Sequence, residues 1–473
     1  MISSVTVSLT VVSLGAGLLL AAAYAASPLT VCVLVATPLL FAMAGRGLPA
    51  DERRLLFVVL GAALAARALF VTAQFLLAVP HLNDLSIGAL SGDESYYLSR
   101  ALRVRDIALG FASTKYDYFV ASDDYGHTTY LTLLTAFQVI FGPTPYGMKI
   151  FNGLLFVAGA ALLFRVARTA YGPAPALAGL VVVLFLPSLF VSSVTLLKES
   201  LYYLTASVLL VCGLAVVRGL TARHWRRAVV GLAGLAVSLW VLNDLRRGAL
   251  YLAVAGLGLA VAIRLVAGHR WRVAAVAVAI AVAVPIVATR PSLRDRVLGG
   301  VTTAAKVHAG HVFTLGHGYK LMDEGFYKTP ETAAAWDVEL TGPQAARFVI
   351  RAAVSFALTP LPWEMRSRSE LAFLPEHLAW YVLLALLPIG AIAGWRLDPW
   401  VTSVLIGLAV PTAVVVAMTN GNVGTLLRLR GLVTPYLIWL SAVGLFALGE
   451  KLIQARRAAG DSGLHPAAEG ATT

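Results

Sequence analysis

Residues 55–79 read LLFVVLGAALAARALFVTAQFLLAV, an apolar run of 25 residues in which Arg67 is the only charged side chain. A run of this length can cross the hydrocarbon core of a bilayer as one α-helix. A guanidinium is costly in lipid, so we expect Arg67 to face the interior of a helix bundle, where it is paired or wetted. The stretch therefore predicts a membrane-spanning helix that packs against other helices.

The composition of the whole chain repeats this pattern. Of 473 residues, 59% are hydrophobic and 13% are charged, whereas soluble domains are about 25% charged. This excludes a soluble enzyme and predicts an all-α polytopic membrane protein with about twelve transmembrane helices. The predicted spans are about 5–26, 28–44, 55–79, 148–167, 175–192, 200–217, 228–242, 249–266, 273–288, 376–395, 399–418 and 432–449. Two shorter apolar stretches, 127–142 and 344–360, leave fourteen spans as the alternative.

Most basic residues lie in short turns between the apolar runs, and they indicate the orientation of the chain. A net charge of +13 would suggest nucleic acid as the partner of a soluble protein. Here membrane lipids account for the charge, so we expect no nucleic-acid partner. The positive-inside rule places these turns in the cytoplasm. The extracytoplasmic side then receives two long loops, 80–147 and 289–375.

The predicted organisation has five parts. Residues 1–54 form two N-terminal spans, 55–288 the transmembrane core with the first outer loop, 289–375 the second outer loop, 376–449 the C-terminal spans and 450–473 a disordered cytoplasmic tail. Together they predict a multi-pass protein of the plasma membrane. The excess of arginine over lysine is typical of a bacterium with GC-rich DNA.

Two amphipathic helices are predicted in the first outer loop. Ser91 and Glu94 form a capping-box pattern, and the helix that follows runs to about Leu109 with an apolar stripe along one side. Arg100 is predicted to face away from that stripe. A second amphipathic helix covers 127–142, and we expect both helices to lie on the membrane surface.

Asp93 and Glu94, at the start of the first surface helix, are the candidate catalytic residues. The cap uses Glu94 but does not require Asp93, so a purely structural role is the alternative for Glu94. A carboxylate at the membrane boundary can deprotonate the hydroxyl group of a sugar acceptor. Tyr96 beside this pair and His127 at the start of the second surface helix are candidate substrate-binding residues.

Several basic residues lie at the extracytoplasmic ends of predicted spans, where the positive-inside rule disfavours positive charge. Ion pairs with neighbouring acidic residues would explain them. An anionic ligand would explain them too, because guanidinium groups bind phosphate through paired hydrogen bonds. We therefore expect a site for an anionic, lipid-linked donor. The candidate binding residues of these clusters are Lys198, Glu199, Arg246, Arg247, Arg428 and Arg430.

The sequence indicates neither a metal site nor a disulfide. His308, His311 and His317 match no strong zinc-binding spacing, so no metal ligand is assigned, although a divalent ion stays open. Cys32 and Cys212 both lie inside apolar runs and are interpreted as packing residues.

A series of short motifs resembles one class of membrane enzymes. In chain order, the motifs are Arg67, Asp93-Glu94, Phe141-Gly142, Lys149-Ile150-Phe151-Asn152, Tyr171-Gly172, Pro187, Leu197-Lys198-Glu199 and Arg428-Leu429-Arg430 with Pro435. Over about residues 55–250 they are similar to the GT-C class of polytopic glycosyltransferases. The similarity is to the family-39-like members, which are akin to protein O-mannosyltransferases and aminoarabinose transferases.

The resemblance implies that a sugar is transferred, with inversion, from a polyprenyl-phosphate carrier to a polysaccharide, lipid or protein acceptor on the extracytoplasmic face. It makes Asp93 the catalytic carboxylate and requires no metal. The two spans before residue 55 are additional to the usual plan of the class. The candidates that the resemblance implies for the carrier phosphate are Lys198, Arg246, Arg247, Arg428 and Arg430.

Two other functions stay open. A polymerase or ligase of lipid-linked envelope oligosaccharides would also place arginines on the outer face. A transporter or flippase of lipid-linked sugars would need no catalytic residue. Transporters usually show inverted repeats and broken helices near the bilayer midplane, and no internal repeat is evident in this sequence.

Overall fold

A computed structural model describes residues 2–78, 92–123, 128–314, 316–322, 327, 340–365 and 371–462. Within these ranges the chain forms nineteen α-helices and no β-strand. An isolated antiparallel bridge joins Gly318 to Asn422. The predicted all-α class is confirmed.

The helices are numbered in chain order. The first ten are α1 Ile2–Ala26, α2 Pro28–Gly45, α3 Ala50–Ala78, α4 Gly92–Ala108, α5 Lys115–Ser122, α6 Thr129–Phe141, α7 Pro145–Tyr171, α8 Pro173–Phe185, α9 Pro187–Ser193 and α10 Glu199–Thr221. The others are α11 Trp225–Leu245, α12 Ala249–Val266, α13 Arg270–Thr289, α14 Pro291–Val312, α15 Gly342–Leu358, α16 Leu374–Leu397, α17 Pro399–Thr419, α18 Val423–Arg430 and α19 Thr434–Ser462.

Ten of the described helices are long and apolar enough to cross a membrane, namely α2, α3, α7, α10, α11, α12, α13, α16, α17 and α19. Each corresponds to a predicted span. The predicted span 175–192 is instead a pair, α8 and α9, bent by 61° where Pro187 follows Leu186. Proline lacks the N–H that a continuous helix needs at this position, which explains the break.

Of the twelve predicted spans, ten are candidate spans among the described helices, or eleven if the bent pair is one span. The remaining predicted span, 5–26, lies within α1, in which Ser13–Ala26 is a shorter apolar helix among the residues searched for spans. The two doubtful stretches form α6, of 13 residues, and α15, of 17 residues, and neither is among the candidate spans. The alternative of fourteen spans thus finds no support in the part of the chain that the structure describes.

The chain divides into two compact units. Unit 1 comprises residues 1–166 and 180–255, and unit 2 comprises residues 167–179 and 256–473. In unit 1, α10 packs along α11, and α4 packs on α6. Gly159 permits α7 to approach α10 closely, because a Cβ atom there would lie 3.1 Å from the Cα atom of Leu204.

Unit 2 is built around the packing of α16 along α19 and of α14 and α15 against α17. Gly390 of α16 has no room for a side chain, which would meet the carbonyl oxygen of Leu440. Much of the predicted second outer loop is helical, as α14 and α15. The last helix, α19, extends to Ser462, beyond the predicted span 432–449, and residues 463–473 of the predicted tail lie outside the described residues.

Candidate functional site

Glu94 is a buried anchor at the start of α4. Its side chain is 1% exposed, and its Oε1 atom lies 2.9 Å from Nζ of Lys149, a residue of α7 that is equally buried. The same oxygen accepts a hydrogen bond of 2.9 Å from the backbone N–H of Leu196. A buried carboxylate needs both a cation and hydrogen-bond donors, and Glu94 receives them from two distant segments.

Asn152, one helical turn after Lys149, connects the same segments by hydrogen bonds. Its amide donates to the hydroxyl of Tyr130 at 2.8 Å and to the carbonyl oxygens of Thr195 at 2.6 Å and Leu197 at 3.2 Å. Helices α6 and α7 and the turn before α10 are therefore joined through one side chain.

Tyr130 stands at the centre of this arrangement and is completely buried. Burial raises the pKa of its phenol well above the usual value; the hydrogen bond from Asn152 acts in the opposite direction, and the carboxylates of Glu199 and Glu94 raise the pKa further. Two carboxylates that are far apart in the sequence thus act on the same hydroxyl group. We call the residues around it, Glu94, Tyr130, Lys149, Asn152 and Glu199, the Tyr130 cluster.

Asp93 differs from its neighbour, because its side chain is exposed in the first turn of α4. Ser91, the first residue of the predicted capping box, lies outside the described residues. The structure therefore separates the two candidate carboxylates, with Glu94 anchored inside unit 1 and Asp93 at its surface. Helix α4 runs to Ala108, close to the predicted end.

Glu199 also forms an ion pair with Arg246. Nη2 of Arg246 lies 3.4 Å from Oε1 of Glu199, and the two side chains are 23% and 13% exposed. The guanidinium also lies over the ring of Tyr202, 5.9 Å from its centroid. Among the described residues, Oε2 of Glu199 and Nε of Arg246 are buried without a hydrogen-bond partner.

Asp244 and Arg247 complete this second polar segment. The carboxylate of Asp244 accepts a hydrogen bond from the backbone N–H of Thr129 and so satisfies the start of α6. Arg247 is exposed. The acidic partner of Arg246 is therefore Glu199, while Asp244 serves as a cap for a helix in another part of unit 1.

Arg100 of α4, which is predicted to face away from the apolar stripe of this helix, is completely buried. Its guanidinium donates to the hydroxyl of Tyr96 at 3.1 Å and to the carbonyl oxygens of Ala121, at 3.4 Å, and Asp123. Helix α5 and the residues after it supply carbonyl acceptors that a helical wheel cannot reveal. Tyr96 also donates to Oδ2 of Asp123 at 3.4 Å, while His127 lies outside the described residues.

The expectation that Arg67 faces the protein interior is confirmed, since its side chain is 1% exposed. Its Nε donates to Oγ of Ser193 at 2.8 Å, and its Nη2 donates to the carbonyl oxygen of Leu184 at 3.0 Å. The guanidinium also lies over the rings of Phe156 and Phe190. Because Leu184 and Ser193 lie on either side of the bend at Pro187, Arg67 stabilises the bent pair of α8 and α9.

In unit 2, Arg430 is 4% exposed and Arg428 is half-buried. Nη2 of Arg430 donates to the carbonyl oxygens of Ser355 at 3.2 Å and Thr359 at 2.5 Å, at the C-terminal end of α15. Its Nε and Nη1 atoms are buried without a hydrogen-bond partner among the described residues. Burial lowers the pKa of this guanidinium to about 10, so it stays charged at neutral pH.

The guanidinium of Arg430 also lies between two aromatic rings. Its Cζ atom is 5.5 Å from the centroid of Phe356 and 5.3 Å from that of Trp380. Such cation–π contacts stabilise a charge that has lost its water. Arg430 therefore has a structural role in unit 2, in addition to any ligand that its remaining N–H groups bind.

His308 lies buried in the same unit, surrounded by the rings of Tyr319, Tyr327 and Phe348. Burial lowers its pKa to about 3, and His311 contributes. The Nδ1 atom of His311 lies 2.6 Å from the carbonyl oxygen of Thr419. Among the described residues, no group of three or more histidine, cysteine, aspartate or glutamate side chains could hold a metal ion.

The structure thus brings several sequence-distant candidates together inside unit 1, around the start of α6. Tyr130, Lys149 and Asn152 were not among the predicted site residues. Lys149 and Asn152 are polar residues in an otherwise apolar span, and that is the signal from which their importance could be inferred. Arg428 and Arg430 belong to unit 2.

No protein-family model, no curated protein and no solved structure matches the chain. The fold therefore identifies a polytopic all-helical membrane protein with ten or eleven candidate spans among its described helices, and it assigns no family.

Proposed function

We propose that this protein transfers a sugar from a polyprenyl-phosphate donor to a polysaccharide, lipid or protein acceptor at the extracytoplasmic face of the membrane. Asp93 is the catalytic base of this reaction. Lys198, Arg246 and Arg247 bind the donor phosphate.

The observation that carries the proposal is the contrast between Asp93 and Glu94. Glu94 is held by Lys149 and by the N–H group of Leu196, so it fixes the first turn of α4. Asp93, one residue earlier, is exposed on that fixed turn. A carboxylate that is accessible to an acceptor and rigidly held by its neighbour meets the positional requirement for a general base.

Two of the cations support the proposal because one follows a cluster contact closely in the sequence and the other is ion-paired with a cluster residue. Lys198 follows Leu196, which binds Glu94, by two residues. Arg246 is paired with Glu199, whose carboxylate acts on Tyr130. The buried Nε of Arg246 has no hydrogen-bond partner among the described residues, and a phosphate oxygen is a suitable acceptor for such a donor.

The chemistry is a direct displacement at the anomeric carbon. The acceptor oxygen forms a bond to this carbon as the bond to the phosphate oxygen breaks, and the configuration inverts. The acceptor proton passes to Asp93 late in the step, and polyprenyl phosphate leaves with the electron pair of the broken bond. The cations stabilise the negative charge that develops on the departing phosphate.

Proteoliposomes that contain a synthetic polyprenyl-phosphate sugar test the proposal. We expect Asp93→Asn to lower the rate of sugar transfer by at least about 100-fold, because general base catalysis contributes this much or more. The matched control is Asp106→Asn, an acidic residue at the other end of the same helix that pairs with Arg105 at 2.7 Å. Near-normal transfer by the Asp93 variant would refute the assignment.

A transporter of lipid-linked sugars is the second candidate, because α8 and α9 form a discontinuous pair of helices bent by 61°. Discontinuous helices are typical of transporter binding sites, and Arg67 donates to groups on both sides of this break. The same proteoliposomes distinguish the two functions. A transporter would move the intact donor between leaflets, and the sugar would remain attached to its carrier in every preparation.

A further inference from the structure

An open apolar groove of about 520 Å³ lies in unit 1, between α2, α7 and α10. Its walls include Leu39 and Met43 of α2, Leu155 and Ala158 of α7, and Leu204 of α10. All three helices are candidate membrane spans, so the groove lies at the depth of the lipid chains. Its volume is within the range of about 300–1,000 Å³ that is usual for small-molecule sites.

One end of the groove is basic. Arg46 and Arg165 are the two charged residues of its lining in the part of the chain that the structure describes. Nη1 of Arg165 donates to the carbonyl oxygens of Met43, Ala44 and Arg46 at 2.9–3.0 Å. Arg165 therefore satisfies the C-terminal end of α2 and is fixed at the mouth of the groove.

Further arginines stand beside this end. Arg46 is exposed, and so are Arg53 and Arg54 at the start of α3. The side chain of Arg53 packs on Gly45, the last residue of α2. Two acidic residues, Asp51 and Glu52, share that turn, so the four arginines of this region leave a positive balance.

We propose that the groove binds an anionic phospholipid, with one acyl chain along its apolar walls and the phosphate at Arg46. Apolar walls at this depth exclude polar ligands, and the bilayer supplies hydrocarbon chains. Basic pockets between transmembrane helices on the cytoplasmic side are known to bind anionic lipid headgroups, and the positive-inside rule assigns this basic turn to that side.

This lipid site is separate from the Tyr130 cluster. Lys149, in that cluster, and Arg165, at the groove, are both on α7, and at 1.5 Å per residue they lie about 24 Å apart along the helix. The polyprenyl-phosphate donor of the proposed reaction is thus not the occupant. The lipid would instead hold α2 against α7.

Native mass spectrometry of the full-length protein, purified in detergent, tests the inference. The protein is titrated with phosphatidylglycerol, with phosphatidylcholine of the same acyl chains, with polyprenyl phosphate and with inorganic phosphate. We expect one phosphatidylglycerol to bind at least fivefold more tightly than phosphatidylcholine, because each arginine near a membrane surface contributes about a factor of five. Inorganic phosphate alone should not bind.

Two variants separate the headgroup from the acyl chain. Arg46→Gln should reduce the preference for phosphatidylglycerol about fivefold, and Ala158→Phe should weaken both phospholipids, because a phenyl ring fills the groove. The matched control is Arg227→Gln, which removes an exposed arginine from the first turn of α11. Its lipid binding should equal that of the wild type.

Several results would overturn the proposal. They are equal affinity for the two phospholipids, displacement of bound phosphatidylglycerol by polyprenyl phosphate, or unchanged phospholipid binding in Ala158→Phe. If Ala158→Phe does not fold, the smaller change Ala158→Leu replaces it and should weaken both phospholipids. Unchanged binding in that variant would equally refute the site.

Discussion

The two units of this protein bury a cation in different ways. In unit 1, Lys149 lies 2.9 Å from the carboxylate of Glu94, and both side chains are 1% exposed. In unit 2, Arg430 is nearly as buried, but it binds the carbonyl oxygens of Ser355 and Thr359 and lies between two aromatic rings. No carboxylate pairs with Arg430 among the described residues.

The difference concerns the charge that each site presents to a ligand. An internal ion pair neutralises Lys149, so this cation holds helices together and adds little attraction for an anion. Carbonyl groups and rings solvate Arg430 without cancelling its charge, and two of its N–H groups have no hydrogen-bond partner among the described residues. The two arrangements should therefore respond differently when one partner is removed.

The largest effect is expected for Glu94→Gln. Glutamine can still accept a hydrogen bond from Leu196, but the buried ammonium of Lys149 loses this carboxylate. Breaking a buried ion pair in this way costs about 3–5 kcal/mol. The free energy of unfolding, measured by titration with dodecyl sulfate in mixed micelles, checks the prediction.

A double variant is the control for this experiment. Replacing both partners, in Glu94→Gln with Lys149→Met, removes the buried charge and should recover most of the lost stability. If the single variant does not fold, recovery of folded protein by the double variant gives the same answer. A single variant as stable as the wild type would show that the ion pair does not hold α4 to α7.

A smaller loss, of about 1.5–3 kcal/mol, is expected for Arg430→Gln. The change removes charge-assisted hydrogen bonds and leaves no carboxylate without its cation among the described residues. The exposed Arg396 at the end of α16 provides the control, because Arg396→Gln should change the stability by less than about 0.5 kcal/mol. A loss for Arg430→Gln as large as that for Glu94→Gln would abolish the distinction between the units.

How far sequence could anticipate these sites depends on the range of the interactions. The spans are predictable because length and hydropathy are local properties, and even the break at Pro187 has a local cause. The role of Glu94 is not local, since its partner Leu196 is 102 positions away. The burial of Arg100 depends in the same way on carbonyl groups of a separate segment that folds back onto α4.

The pH dependence of unit 2 is the third test. His308 is buried with a pKa of about 3, below its usual value of 6.5, so the unfolded chain binds a proton more readily than the folded protein. Stability should therefore be complete above about pH 6.5 and should fall as the pH decreases toward 3. At pH 5.5, one unit below the usual pKa of histidine, the expected loss is about 1 kcal/mol.

Unfolding titrations at pH 7.5 and 5.5 measure this loss. His308→Phe should remove it, because phenylalanine fills the same aromatic surroundings and does not titrate. His269→Phe is the control, since His269 is an exposed residue of the same unit. Equal pH dependence in His308→Phe and the wild type would exclude His308 as the cause.

The smallest effect on stability, under about 1 kcal/mol, is expected for Arg246→Gln. Its ion pair with Glu199 is long, at 3.4 Å, and part of the guanidinium is exposed, so solvent screens the interaction. A double-mutant cycle with Glu199→Gln should give a coupling energy in the same range.

If Arg246 binds the donor phosphate, however, Arg246→Gln should raise the KM for the polyprenyl-phosphate sugar at least tenfold. Weak coupling to the fold combined with a strong effect on the donor would mark Arg246 as a ligand contact. The reverse pattern, a strong loss of stability with an unchanged KM, would assign it to the structural class of Lys149.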